Sequence, residues 1–534
     1  MTKERLYLFD TTLRDGAQTS GIDFSVDEKI AITDLLERLG VDYIEGGYPG
    51  ANPTDTKFFS EKRTRKAIFT AFGMTKRAGR SVSNDPGVQM VLQSAADATC
   101  YVAKSWDYHV DVALKCTNEE NLESIADTVK ASVEAGKEAM IDCEHFFDGY
   151  KANPDYALAC AQTAFEAGAR WVVLCDTNGG TLPHEVTEIV NAVMQVVPGS
   201  NLGIHAHDDT GHAVANTLAA VVAGVRQVQG TLNGIGERCG NANIITLIPN
   251  MLLKKPYRDL VELGIKVEDL TELTAISRSF DEILNRSSNV HAPYVGANAF
   301  ATKAGIHASA ILKNPDTYEH IPPEMVGNQR RVLVSDQAGK SNLLNELKRL
   351  GVEADKADPR LDRLLAEVKE LEAQGFAYEA ADASFELLAR RRLHSVPDYF
   401  DVLSFRTGVE RRYNALGERV TVSEAVVKVE VDGENFMSVA EGNGPVNALD
   451  LSLRKDLGKY QSLIADLELI DYKVRILNGG TSAITRVLIE SQNKKTGKRW
   501  FTVGVSENIV DASFQALVDS VRYCIFKANE LETA

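Results

Sequence analysis

Short apolar runs rich in β-branched and aromatic residues recur through the first half of the chain, at 6–9, 43–45, 67–72, 99–102, 139–143, 171–175, 202–205 and 225–229. Between most of them lie segments such as 25–41, 152–169 and 211–225, whose apolar residues fall at i, i+3 and i+4, the spacing of one helix face. Eight strand–helix alternations within about 250 residues are what a (β/α)8 barrel requires, whereas an open doubly wound sheet commonly uses about five or six strands. The pattern predicts an α/β fold with a TIM barrel over residues 1–270 as catalytic domain.

The alternation stops after the eighth run. Residues 271–419 read as helical linker subdomains: a Gly/Ala/Pro-bearing stretch, then a charge-rich helix around 361–374 whose charges read as a solvated face. From 420 to 534 strand character returns, and the segments 438–453 and 502–517 both close a strand, pass a polar cap and open a helix at matching offsets. Two such joints predict an internally duplicated α+β domain.

Composition narrows the partners. The 534 residues are 44% hydrophobic and 25% charged, enough to bury a large core, and no stretch reads as a membrane span. A net charge of −17 without a basic patch disfavours nucleic acid and anionic lipid. The seven scattered cysteines include no C-x-x-C pair and the first residues lack a secretory pattern, so a reducing cytoplasm is expected.

In such a barrel the reactive groups gather at the C-terminal ends of the strands, and here those ends are strongly polar. Asp10–Gln18 follows the first, Glu45 the second, Glu144-His145 the fifth, Asp176-Thr177-Asn178 the sixth; the seventh carries His205-Ala206-His207-Asp208, and the eighth leads into Asn233–Asn241. His205 and His207, two apart on a strand, point to one face. With Asp15 and Asn241 as candidate oxygen donors they form an N2O2 set suited to Zn2+, Mn2+, Fe2+ or Co2+, or, with more water, Mg2+. An H-x-H pair alone fits an ordinary hydrogen-bonded histidine pair equally well; its place on the seventh of eight acid-ended strands favours chelation. Arg14 places a permanent cation beside the metal to stabilise an anionic oxygen, or pairs structurally with Asp10 or Glu45. Thr177 can hydrogen-bond a carboxylate or cap the next helix; Glu144 can act as base, substrate ligand or partner locking Arg14.

The D-T-T-L-R-D-G-x-Q opening (10–18), the H-A-H-D strand (205–208) and the G-x-G-E-R-x-G-N turn (234–241) together resemble the barrel metalloenzymes that condense acetyl-CoA with an α-keto acid, the isopropylmalate, homocitrate and citramalate synthases. The G-I-H-A-S-A-I-L-K-N-P-x-x-Y segment (305–318) and the C-terminal module are also similar to this family, whose last domain binds an end-product inhibitor. Within it, Ala17 and the stretches 144–150 and 176–180 resemble the longer citramalate synthases, which implies pyruvate as acceptor and isoleucine biosynthesis. 2-Oxoisovalerate or 2-oxoglutarate would make it an isopropylmalate or homocitrate synthase, and an aldolase or lyase could run the same barrel chemistry backwards. The resemblance implies a divalent metal (Mn2+, Zn2+ or Mg2+) on Asp15, His205, His207 and Asn241, with acetyl-CoA as co-substrate. Arg14 would stabilise the developing alkoxide and Thr177 hold the keto-acid carboxylate. His307, with Glu144 or Tyr318, would take the acetyl proton. In relatives the segment bearing His307 and Tyr318 comes from the neighbouring protomer, implying a homodimer. Gly442, Gly444 and Ser506, at the joints of the C-terminal module, are the expected contacts for the carboxylate of an isoleucine or leucine effector.

Overall fold

A computed structural model describes residues 3–533 apart from 285, 303–306, 308, 309, 312, 333–339, 379, 380, 395, 414 and 478–482; parts of the 305–318 motif thus lie outside the described residues. Eight parallel strands, Tyr7–Asp10, Tyr43–Glu45, Ile68–Met74, Ala98–Lys104, Glu138–Glu144, Trp171–Asp176, Leu202–Ala206 and Gln227–Gly230, close into a barrel. Closure is made by the first strand, which pairs with the second (Phe9 opposite Tyr43) and with the eighth (Tyr7 opposite Gln227). The covering helices start where the sequence supplies caps. Ser25 with Glu28 and Thr117 with Glu120 form capping boxes before Val26–Leu39 and Asn118–Glu134, satisfying N–H groups the first helical turn leaves free.

Inside, the barrel is stratified. Toward its base Phe9, Tyr43, Cys100, Met140, Trp171 and Val173 form a buried apolar plug, with the Trp171 indole N–H donating to the Tyr43 hydroxyl (3.1 Å) and that hydroxyl to Glu138 (2.7 Å). Toward the strands' C-terminal ends the filling turns polar: Glu45, Asp142, His205 and Gln229 are all buried. Burying charge is tolerated only with partners at hand, and those partners are the site described below.

The chain divides into two compact units, residues 1–300 with 321–330, and residues 301–320 with 331–534. The first therefore extends past the expected boundary at 270, because helix Leu273–Ile283 buries Ile276 and Phe280 in the core shared by the barrel helices. In the second unit helices Lys340–Arg349, Pro359–Ala373 and Asp382–His394 precede two three-stranded antiparallel sheets. Each sheet is followed by a helix: Asp401–Tyr413, Arg419–Val431 and Glu434–Gly442 by Pro445–Leu453; Leu467–Ile476, Thr485–Asn493 and Arg499–Ser506 by Ile509–Thr533. The repeat is thus three strands and a helix, longer than the joint visible in the sequence. It also corrects the 419/420 boundary and the helical assignment of 271–419. Asp401–Tyr413 is a strand paired along its length with Arg419–Val431, and its open face and its Arg, Glu and Gly residues erase the alternation that would announce it. Helix Asp382–His394 belongs to the same module: Glu386, buried, receives the Tyr523 hydroxyl (2.9 Å) and the Lys527 ammonium (2.7 Å) from the last helix. Among the described residues no helix is long and apolar enough to cross a membrane.

One buried cation fixes the loops that carry the chemistry. Lys29, on the first covering helix, donates to the carbonyls of Leu13 (3.0 Å) and Gly46 (2.8 Å) and pairs with Asp55, joining the loops after the first two strands. Lys29→Met leaves the buried Asp55 carboxylate unpaired and is expected to cost the barrel about 3–5 kcal/mol. A lowered thermal midpoint, partly recovered in Lys29→Met/Asp55→Asn, is the measurement; an unchanged midpoint would show that the pair does not hold these loops.

Candidate active site at the barrel mouth

His205 lies on the seventh strand and His207 one residue beyond its end, where it forms an antiparallel bridge with Asn241. The 234–241 turn makes that bridge possible because its glycines admit no side chain. Gly240 has φ +93°, and a Cβ there would strike the Gly234 carbonyl; one on Gly236 would strike the Asn241 amide. Asp15 enters from the turn after the first strand, its N–H bonded to the Thr11 carbonyl at 2.9 Å.

These four residues converge. The Asp15 carboxylate lies 3.1 Å from His205 Nε2 and 3.9 Å from His207 Nε2, and accepts from the Asn241 amide at 2.9 Å. The two Nε2 atoms are 3.3 Å apart. Among the described residues, His207 Nδ1 and Asn241 Oδ1 are buried without a hydrogen-bond partner. Two imidazoles, a carboxylate and an unspent amide oxygen within one small volume fit a divalent cation. Burial and the neighbouring His205 push His207 down to about 3, so its imidazole is neutral and offers a lone pair. Burial alone would raise Asp15; the opposing pull, led by the Arg14 guanidinium, holds the carboxyl well below the usual range.

Arg14 is fixed on three sides. Its Nε donates to Glu45 at 2.8 Å, its Nη1 lies 3.6 Å from Asp15, and its guanidinium stands 4.1 Å over the Phe72 ring. Glu45 also accepts from the Thr11 hydroxyl, and burial pushes its carboxyl above the usual range. The pairing with Glu45 is the one seen; Asp10 instead accepts from the backbone and hydroxyl of Thr12. Glu144 does not lock Arg14, because the Lys104 ammonium holds its carboxylate. The Thr177 hydroxyl accepts from the His145 N–H at 2.8 Å, which leaves its own proton to donate. His307 and Tyr318 lie in the second unit, exposed, with ring centroids 4.2 Å apart.

Two residues escaped sequence reasoning. Gln229, opposite His205 on the eighth strand, accepts from His205 Nδ1 at 2.8 Å while its amide donates to Asp142 at 3.1 Å. Because the Gln229 NH2 is spent on a carboxylate, its oxygen must face His205. Nδ1 therefore carries the proton and Nε2 turns its lone pair to the donor cluster. The signal was present in R-Q-V-Q-G and M-I-D-C, polar side chains inside strands that a barrel buries on both faces.

At the Ser506 joint the side-chain oxygen of Asn508 accepts from the N–H groups of Val510 and Asp511, and Ser506 accepts from Asn508. Those N–H groups are thus spent on a local helix cap. At the other joint Gly442 ends a strand and Gly444 precedes Pro445–Leu453, a helix without a side-chain cap.

Residues 5–277 match the HMGL-like family, residues 294–375 the homocitrate synthase post-HMGL domain-like family, and residues 379–525 the LeuA allosteric (dimerisation) domain. The chain is 48% identical over 99% of both lengths to the (R)-citramalate synthase of Aquifex aeolicus, and 49% identical over 98% of both to that of Streptomyces coelicolor. It is 31% identical to the 2-isopropylmalate synthase of Methanocaldococcus jannaschii, over 99% of this chain and 96% of that one. Barrel, donor cluster and duplicated module together define an acyltransferase of the HMGL-like class that carries a LeuA-type C-terminal domain. Within that class the chain belongs to the citramalate synthase family.

His205→Ala or His207→Ala is expected to abolish metal retention and turnover together, because one nitrogen donor cannot hold the ion. Gln229→Leu frees the His205 ring and should weaken metal affinity about 10- to 100-fold. Metal titration of the purified variants decides: full affinity in Gln229→Leu would remove its orienting role.

Proposed function

We propose that the protein condenses acetyl-CoA with pyruvate and water to give citramalate and CoA, a step toward isoleucine through 2-oxobutanoate, and that it works as a cytoplasmic homodimer. The observation that carries this is the Asp15, His205, His207 and Asn241 cluster beside Arg14 at the mouth of the barrel. A divalent cation held by those four residues supplies Lewis-acid polarisation of the acceptor carbonyl.

The chain's own residues do the rest. Thr177 donates its free hydroxyl proton to the keto-acid carboxylate. Arg14, unable to lose its charge, faces the C2 oxygen and offsets the negative charge that grows as the carbon–carbon bond forms. His307, with Tyr318 or Glu144 assisting, removes a proton from the acetyl methyl, and the resulting carbanion attacks C2. Water then cleaves the thioester, releasing the thiol and making the condensation irreversible. A short acceptor is supported by the crowding beyond the fifth strand, where the His145 ring lies 4.2 Å from that of His109 and 6.1 Å from Trp106.

Thiol release with pyruvate, 2-oxoisovalerate and 2-oxoglutarate tests the reaction. Pyruvate is expected to give the highest kcat/KM; a methylene is worth about 1–3 kcal/mol to a fitted pocket, so preference need not be absolute. Higher kcat/KM on 2-oxoisovalerate would overturn the acceptor while leaving the family intact. Arg14→Ala should retain metal and lose at least about 100-fold in kcat, since its charge acts as the alkoxide develops; an empty metal site in that variant would reassign it.

The C-terminal module is proposed to bind isoleucine and lower activity, with Gly442 and Gly444 at the effector's carboxylate. Linkage requires isoleucine to bind the less active state more tightly. Gly444 has open space around it and φ −167°, so Gly444→Leu is accommodated by the fold while crowding the joint. It is expected to raise the isoleucine concentration for half inhibition at least tenfold. No response of the unmodified protein to millimolar isoleucine, leucine or valine would end the feedback reading.

A further inference from the structure

Arg238 stands on the 234–241 turn, shortly before Asn241, with 41% of its side chain exposed. Its guanidinium nevertheless reaches two other loops. Nε and Nη2 grip the two oxygens of Asp209, at 2.8 and 2.9 Å, on the loop after the seventh strand. The same Nη2 donates to the Thr177 carbonyl at 2.7 Å, on the loop after the sixth, while Nη1 faces the adjacent Glu237 at 3.5 Å. One planar side chain thus ties together the segments that carry Thr177, His207 and Asn241.

An exposed ion pair adds little to stability, so the arrangement calls for a geometric reason. Two local features are unfavourable unless they serve this clamp. Arg238 takes φ +55°, a left-handed backbone that a residue with a side chain avoids. Gly179, just past Thr177, has φ +60°, and a Cβ there would strike the Asp209 carboxylate and backbone nitrogen. The Thr210 hydroxyl adds a further tie between the same two loops, donating to the Gly179 carbonyl at 2.7 Å. Thr177 is therefore held from both ends. Its carbonyl accepts from Arg238, and its hydroxyl accepts from the N–H of His145, itself at φ +55°.

We infer that Arg238 is a positioning residue for the acceptor. By clamping Asp209 and the Thr177 carbonyl, it keeps the Thr177 hydroxyl where the carboxylate of a 2-keto acid can reach both that hydroxyl and the cluster of Asp15, His205, His207 and Asn241. Arg238 itself touches no substrate, and the inference rests on the acceptor-binding role proposed for Thr177 above. Lysine cannot replace it, because a single ammonium lacks the rigid fork that serves a carboxylate and a carbonyl in one plane.

The test is a split between KM and kcat. Thr177 meets the carboxylate before and during bond formation, so losing its placement weakens both states alike and raises KM while kcat stays within about threefold. Arg238→Lys and Arg238→Ala are each expected to raise KM for pyruvate about tenfold or more, the worth of a hydrogen bond to a charged group. Thr177→Val should do the same, and adding Arg238→Ala to it should raise KM no further. Arg238→Lys keeps the charge and the aliphatic stem, so it decides the matter even if Arg238→Ala fails to fold. Metal titration of Arg238→Lys should return the affinity of the unmodified protein, because the bridge to His207 seats Asn241 independently. An unchanged KM in Arg238→Lys, or effects of the two sites that multiply in full, would overturn the inference. So would a loss of metal affinity parallel to the rise in KM, which would place the effect on Asn241. Should the unmodified protein release no thiol with any keto acid, the acyl-transfer reading falls by itself. Calorimetry of pyruvate on the metal-loaded proteins then decides the clamp: affinity about tenfold lower in Arg238→Lys supports it, and equal affinity sinks it.

Discussion

The structure is organised around one buried carboxylate. Asp15 is 2% exposed, and a lone ionised carboxyl at that depth would be prohibitively costly; it stands because the Arg14 guanidinium and the Asn241 amide compensate it, with two imidazoles beside it as fellow donors for a cation. Each of those groups needs support of its own. Arg14 is anchored by Glu45, His205 by Gln229 and through it Asp142, and His207 and Asn241 by the bridge that the glycines of the 234–241 turn allow. The charge that makes the site reactive is the same charge that obliges its neighbours to be where they are.

Barrel geometry makes such a network affordable. Alternate residues of each strand face inward, so a polar layer at one end can be stacked on an apolar layer at the other without either disturbing the helices outside. The plug of Phe9, Tyr43, Met140 and Trp171 provides the rigid floor, and the layer of Glu45, Asp142, His205 and Gln229 is held over it by register alone: Gly203 pairs with Gln227 and Ile204 with Val228, which sets His205 beside Gln229.

The second unit follows a different logic. Its two βββα halves share one core and leave apolar side chains on the strands exposed, among them Val409 (59%), Met437 (71%) and Ile476 (66%). Such surface is costly in water, in keeping with the match of these residues to a dimerisation domain. Helix Asp382–His394 is part of this module by its buried Glu386 contacts rather than by any feature of its composition.

The sequence alone determined whatever depends on local period and fixed spacing. Strands alternating with helices count to eight without a structure, and H-A-H on a strand must present both imidazoles to one face. It could not determine which distant polar groups meet. Glu144 was open to three roles, and only folding brought Lys104 to it; Gln229 and Asp142 looked like stray polar residues until closure set them against His205. The strand Asp401–Tyr413 was hidden because a strand with one open face need not alternate. Periodicity is a property of neighbours along the chain, whereas pairing, burial and electrostatic compensation belong to neighbours in space, and only the tertiary structure decides who those are.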